Sequence, residues 1–153
     1  MNDKQKLIAA LIEQPSRYKI DVQDSTMLPD NLKQKKEIEF VVKPPSMGVL
    51  ALCASEIQNL PNHLTKPEAQ ISFVDALPYA DNMIRVICIL AHAKESKYPN
   101  WYEPFIKNNC TPKEIYQIFQ ETTLKMQSDF FLHSFQIASQ TNPMMMNLTK
   151  RKD

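Results

Sequence analysis

The chain has 153 residues, a formal net charge of +1 and a single glycine, Gly48. This length fits one domain with a real hydrophobic core, and a charge near zero provides no global field to attract nucleic acid or an anionic membrane. The glycine count excludes phosphate-cradling loops, dinucleotide fingerprints and serine-nucleophile elbows, which all need several glycines where the backbone turns sharply or approaches a ligand.

The first elements along the chain are predicted to be a short helix and a β-hairpin. Residues 3–13 carry an amphipathic stripe that ends at Pro15. Residues 17–22 and 37–43 alternate apolar and polar side chains, and the polar loop 23–36 joins them. We therefore expect an antiparallel hairpin over 17–43 at the edge of the domain, with an exposed strand edge to which another chain could add a strand.

A sharp corner is predicted directly after the second strand. Pro44 and Pro45 end the strand, because neither can donate to a ladder, and Ser46 is then positioned as a helix N-cap. The predicted apolar face of the following helix consists of Met47, Leu50, Ala51, Ala54 and Ile57.

The middle of the chain predicts a broken helix that leads into a central one. Thr65 and Glu68 fit a capping box, and Pro78 is expected to kink or break the helix that they open. The run from Tyr79 to Lys94 is apolar almost all the way round, which is typical of a helix packed on several sides. This helix is the predicted core of the domain.

The last third predicts a short helix over 101–108 and a longer one opened at Thr111. Thr111 and Glu114 form a second capping box, with Pro112 at the first helical position. One face of the longer helix is apolar: Ile115, Ile118, Phe119, Thr122 and Met126. Ser128 is expected to cap a final helix that carries Phe130 and Phe131.

Together these elements predict a mainly α (α+β) fold. We expect a helical bundle of about five to six helices with a short N-terminal β-hairpin, forming a single domain over 1–141. Residues 142–153 contain a proline and show no periodicity, so they predict a flexible C-terminal tail.

The residue types that carry chemistry are scattered. His63, His92 and His133 show no ligand spacing, so we predict no metal site. Cys110 precedes a helix, where a lowered pKa would make it reactive, but an inert loop cysteine is the favoured interpretation. Glu37 and Glu39 share a strand face and are expected to be solvated. The prediction is a protein with no catalytic residue, no cofactor and no enzymatic activity.

Cysteine usage and apolar runs predict where the protein works. The cysteines Cys53, Cys88 and Cys110 are odd in number and lack CxxC spacing, which favours free thiols in a reducing compartment. The start MNDKQKLIAALIEQP lacks the pattern of a signal peptide, and the apolar run over 83–91 is too short to cross a bilayer. We expect a cytoplasmic protein without a membrane partner.

Two features favour a binding role. The aromatic cluster Tyr98, Trp101, Tyr102 and Phe105 is typical of a core cap, with a protein interface as the second interpretation. Short basic segments (Lys33, Lys35 and Lys36, and Lys150 to Lys152) are the only support for nucleic-acid binding, which usually needs more charge and a reading helix.

The order of motifs resembles the small, mainly helical tail assembly chaperones of tailed phages and prophages. The segments that carry the resemblance are LIAALIEQP, YKIDV, EFVVKPPSMG, MIRVICILAHAK and CTPKEIYQIFQ. Lys43 departs from the pattern, since relatives are expected to have arginine at this corner.

The resemblance implies a non-enzymatic chaperone that binds the tape measure protein and keeps it soluble during tail morphogenesis in a bacterial host. Exposed apolar surface would perform this binding and would also favour self-association. The contact candidates are Trp101, Tyr102, Phe105, Phe130 and Phe131. The alternatives are a small phage or prophage regulatory protein that binds nucleic acid or another protein, and an enzyme that uses Cys110.

Overall fold

A computed structural model describes Asp3 and residues 14–61 and 73–127. In this part of the chain two strands precede four helices: β1 (Ser16–Asp21), β2 (Glu37–Val42), α1 (Met47–Ile57), α2 (Ala80–His92), α3 (Tyr102–Asn109) and α4 (Pro112–Gln127). A single α-helical turn (Phe73–Ala76) and two 3₁₀ turns (Asp30–Leu32 and Leu77–Tyr79) complete them.

The predicted class, mainly helical with a two-stranded antiparallel sheet, is confirmed. The described residues hold four helices longer than one turn, fewer than the predicted five to six. Apart from Asp3, the predicted helix over 3–13 lies outside the described residues. The same is true of the predicted helix from Ser128 onwards, the capping box at Thr65 and Glu68, and the C-terminal tail.

The hairpin forms as predicted, and its register places one face on the core. Tyr18 is opposite Phe40 and Ile20 is opposite Ile38. The Val22 N–H continues the ladder by donating to the Lys36 carbonyl at 2.8 Å. Because side chains alternate between faces, the buried set Ile20, Ile38, Phe40 and Val42 falls on one side of the sheet.

Helix α1 begins where the sequence predicts but buries a different face. The Val49 N–H donates to the Ser46 side-chain oxygen at 3.3 Å, which confirms the N-cap. The predicted apolar face is wrong, apart from Leu50 and the partly buried Ile57: Ala51 and Ala54 are exposed, and Met47 is 55% exposed. The buried side chains are Val49, Leu50 and Cys53. Apolar residues surround this helix, so its contact with α2, not its periodicity, selects the buried face.

Helix α2 is central, as predicted, and Pro78 lies in the 3₁₀ turn that separates α2 from the preceding turn of helix. It packs against α1, α3, α4 and strand β2. Its buried side chains lie on several sides of the helix: Met83, Ile84, Val86, Ile87, Cys88 and Leu90. Arg85 is only partly buried, and its Nε donates to Glu56 of α1 at 2.9 Å.

The second predicted capping box is present at the start of α4. The Glu114 N–H donates to the Thr111 hydroxyl at 3.1 Å, and the Thr111 N–H donates to the Glu114 carboxylate at 2.8 Å. The predicted apolar face of α4 is also confirmed, since Ile115, Ile118, Phe119, Thr122 and Met126 are all buried.

A polar seam joins α4 to the hairpin. The Tyr18 hydroxyl donates to the Glu121 carboxylate at 2.7 Å, and the buried Lys125 ammonium donates to the Gln14 carbonyl. Burial lowers the pKa of Lys125, because a low-dielectric setting disfavours the charged form. The periodicity of α4 gives no sign of a lysine on its buried side.

Asn109, at the end of α3, attaches the loop after β1 to the helices. Its side-chain oxygen accepts hydrogen bonds from the N–H groups of Gln23 and Asp24, at 2.6 and 2.7 Å. Its amide nitrogen donates to the carbonyls of Asp24 and Phe105, at 3.1 and 2.9 Å. One buried amide therefore hydrogen-bonds to four backbone groups.

Replacing this amide should destabilise the fold more than any surface change. Asn109→Ala leaves two backbone N–H groups without their acceptor, so we expect a loss of about 2–3 kcal/mol in the free energy of unfolding. Its neighbour Asn108 is exposed and donates only to the Pro104 carbonyl, so Asn108→Ala should cost less than about 0.5 kcal/mol. Urea denaturation of both variants measures the difference, and equal losses would contradict the account.

Candidate binding surface

The predicted aromatic cluster forms, and it is centred on a strand residue. Phe40 of β2 contacts the rings of Trp101, Tyr102 and Phe105, with centroids 6.1, 5.1 and 5.9 Å away. Phe105 is fully buried and is therefore a core residue. Trp101 and Tyr102 are partly buried and keep some accessible surface. The other two contact candidates, Phe130 and Phe131, lie outside the described residues.

Hydrogen bonding holds the cluster together at its polar edge. The Tyr98 hydroxyl donates to the Glu103 carboxylate at 2.6 Å, and its ring stacks on Tyr102. Burial, and then the bond to Glu103, raises the pKa of Tyr98 well above its usual value. The Lys97 ammonium lies 4.8 Å above the same ring. The geometry is that of a core cap.

A second feature, which we call the apolar pocket, lies where several helix ends meet. It has a volume of about 150 Å³, is partly open to the surface, and is lined by the turns before α2, the first turns of α2 and α4, and the end of α3. Its lining is mostly aliphatic: Ala76, Leu77, Ala80, Met83, Ile84 and Ile115, with Cys110 and Pro112 beside them.

The border of the apolar pocket combines an exposed aliphatic side chain with one opposite pair of charges. Leu77 lines the pocket and is 54% exposed, and Val74, three residues earlier in the chain and not part of the lining, is 64% exposed. Asp81 and Lys107 line the pocket and form an ion pair at 3.3 Å, with side chains 60% and 62% exposed. An exposed apolar patch with a polar rim is typical of a protein-binding surface.

This pocket was not predicted from the sequence, although the sequence contains a signal for it. The signal is the presence of two apolar residues, Val74 and Leu77, just before the helix-breaking Pro78. Apolar side chains that flank a proline helix break cannot all face the core, because the chain changes direction there. The residues that complete the pocket, such as Lys107 and Ile115, come from distant parts of the chain. Only the packed fold brings them together.

Cys110 lines the apolar pocket, and its environment does not activate it. Burial, and then the nearby charge of Glu114, raises the pKa of the thiol to about 12. This is the opposite of the lowered pKa that a helix N-terminus would produce. Cys110 is therefore a protonated, partly buried thiol at neutral pH.

The other sequence candidates are placed as follows. In the described part of the chain, no three His, Cys, Asp or Glu side chains gather as metal ligands. His92 faces the Ser96 hydroxyl at 3.2 Å, while His63 and His133 lie outside that part. Glu37 and Glu39 are exposed, and Glu39 pairs with Arg17 at 2.9 Å. The loop lysines Lys33, Lys35 and Lys36 are also exposed.

Comparison with family models, curated proteins and solved structures finds no match for this chain. The resemblance to tail assembly chaperones rests on the sequence motifs alone. Over residues 14–61 and 73–127, no helix is long and apolar enough to cross a membrane.

The raised pKa of Cys110 predicts slow alkylation in the folded protein. At pH 8 the thiolate fraction is small, so we expect iodoacetamide to react at least ~100-fold more slowly than with a free cysteine. The rate should keep rising with pH up to about pH 11. Mass spectrometry of the wild type and of Cys110→Ser assigns the site. A rate that reaches its plateau below pH 8.5 would contradict this description.

Proposed function

We propose that this protein is a non-enzymatic chaperone of the tail assembly type, which binds an apolar helical segment of a tape measure protein and keeps it soluble. The observation that carries the proposal is the apolar pocket, whose lining residue Leu77 is 54% exposed. The motif resemblance supplies the identity of the partner. The proposal also includes two predictions from the sequence. One is that the chain folds into a bundle of five to six helices, and the other is that the protein works in the cytoplasm of a bacterial host.

The chemistry of the pocket suits an amphipathic helix. Such a helix presents apolar side chains at one-turn spacing, and helix-in-groove recognition seats one or two of them in a preformed cavity. Val74 and Leu77 extend the apolar contact beyond the cavity, while Asp81 and Lys107 give it a polar rim. Binding of this kind is transient and resists salt, because it depends on apolar burial.

Trp101 and Tyr102 remain contact candidates for a second part of the partner, together with Phe130 and Phe131. Partly buried aromatic residues of this kind are frequent hot spots of interfaces. Phe105 is fully buried, so in the proposal it supports the packing of the aromatic cluster and does not itself contact the partner. Replacing Trp101 tests this second surface separately from the pocket.

One observation favours the alternative, a small regulatory protein. Lys33, Lys35 and Lys36 are all exposed in the loop between the two strands, where they could contact phosphate groups. Three lysines make a small electrostatic footprint, and binding through them would weaken steeply with added salt. Salt dependence therefore separates this alternative from apolar capture.

The proposal predicts that co-expression with the tape measure protein keeps that protein soluble, and that tagged chaperone captures it at ~0.1 M and at ~1 M salt alike. Leu77→Asp places a charge at the mouth of the apolar pocket and should reduce the captured fraction at least ~10-fold. Met47→Asp is the matched control, because Met47 is 55% exposed on α1, away from the pocket.

The outcome of the same experiment can overturn the proposal in two ways. Equal capture by the wild type and by Leu77→Asp would exclude the pocket as the binding surface. Capture of nucleic acid, released by ~1 M salt and lost when the three loop lysines are replaced by glutamine, would favour the regulatory protein.

A further inference from the structure

An ion pair joins two walls of the apolar pocket at its surface. Asp81 lies in the first turn of α2 and Lys107 in the last turn of α3, and both line the pocket. Their side chains are nevertheless 60% and 62% exposed, so they lie at the mouth of the pocket. The contact between the Asp81 carboxylate and the Lys107 ammonium, at 3.3 Å, therefore spans the mouth from one helix to the other.

This ion pair is of a kind that breaks easily. Exposed ion pairs contribute little to stability, because water solvates both charges and the side chains lose freedom when they pair. The lysine side chain is long and flexible, so its ammonium can leave Asp81 without any movement of the helices. The Arg85 and Glu56 pair is closer, at 2.9 Å, and less exposed, at 34% and 24%. It links α1 and α2 more firmly than Asp81 and Lys107 link α2 and α3.

Each charge of the exposed pair has a second partner one turn away on its own helix. Arg85 follows Asp81 by four residues on α2, and Glu103 precedes Lys107 by four residues on α3. In both cases the acid is N-terminal to the base, which is the more favourable orientation at this spacing. A hydrogen bond to Glu56 is the main cause that raises the pKa of Arg85, and the nearby charges of Glu103 and Asp81 add to it.

We propose that the Asp81 and Lys107 pair is a gate at the mouth of the apolar pocket. In the closed state, which the structure shows, the pair spans the mouth. In the open state Asp81 turns to Arg85 and Lys107 turns to Glu103, so neither charge is left without a partner. The gate itself does not depend on the proposed function, but its role in admitting an apolar side chain of a partner does. Salt screens the pair and opens the gate, which agrees with capture that resists salt.

The chain contains its own reporter of the gate. Cys110 lines the pocket and is partly buried, so the rate at which a small uncharged reagent such as iodoacetamide reaches its thiol depends on the gate. Cys53 and Cys88 are fully buried, and their alkylation reports unfolding of the chain. Mass spectrometry that resolves the three sites therefore separates an open gate from a lost fold.

Two variants of nearly unchanged size test the gate, Asp81→Asn and Lys107→Gln. Each should raise the rate of Cys110 alkylation at least ~3-fold, a factor within the range that exposed ion pairs contribute. The two variants change the charge near the thiol in opposite directions, so an electrostatic change in its pKa alone would raise one rate and lower the other. Raising the salt from ~0.05 M to ~0.5 M should speed the wild type by a similar factor and leave both variants unchanged.

A matched control uses the exposed ion pair on the hairpin. Glu39→Gln removes one charge from the 2.9 Å contact with Arg17, which takes no part in lining the pocket. This variant should alkylate at Cys110 at the wild-type rate. Urea denaturation of every variant checks that the fold persists.

Two results would overturn the gate: a Lys107→Gln variant that alkylates at the wild-type rate or more slowly, or a rise at Cys110 that Cys53 and Cys88 share. Neither result bears on the proposed function, which is tested by partner capture with Leu77→Asp. A wild type that captures its partner while the gate variants alkylate like the wild type would keep the chaperone and remove the gate. Faster alkylation of both variants without any capture would keep the gate and remove the chaperone.

Discussion

The burial of helix α2 is the constraint on which the rest of the structure depends. Six of its thirteen residues are buried in contact with three helices and with strand β2. A helix with so much apolar surface is stable only when several neighbours cover it, because burial supplies the free energy that an isolated helix lacks. The hairpin, α1, α3 and α4 are each positioned by the side of α2 that they cover.

This arrangement also explains where the apolar pocket forms. The neighbours cover the middle and the end of α2 closely, but its beginning adjoins the 3₁₀ turn at Pro78 and the point where α3 gives way to α4. Helix ends pack less completely than helix sides, since the chain leaves in a new direction there. The 3₁₀ turn at Pro78, just before α2, therefore leaves Leu77 exposed beside the cavity.

Local signals in the sequence predicted the local structure well. The capping box of Thr111 and Glu114, the N-cap at Ser46 and the alternation of the two strands each depend on residues close in the chain, and all three are present. The buried face of α1 was predicted wrongly, because apolar residues on many sides of that helix leave the choice to its partner α2.

Long-range features could not be predicted from the sequence in the same way. Asn109 has an ordinary place at a helix end, and three of its four hydrogen bonds exist only because the loop at Asp24 folds back onto it. The pocket likewise unites residues from 76 to 115. The aromatic cluster was recognised in the sequence, but its centre, Phe40, is more than fifty positions away from Tyr98.

The central claim is that the apolar pocket binds helical apolar segments, and methyl NMR tests it most directly. Side chains deep in the pocket, such as those of Met83, Ile84 and Ile115, provide methyl signals, and Ile20 in the hairpin provides a reference signal. On titration with an amphipathic helix from the proposed partner, a tape measure protein, the account predicts saturable shifts at the pocket methyls and an unchanged Ile20. Shifts absent from the pocket, or confined to the hairpin, would contradict it.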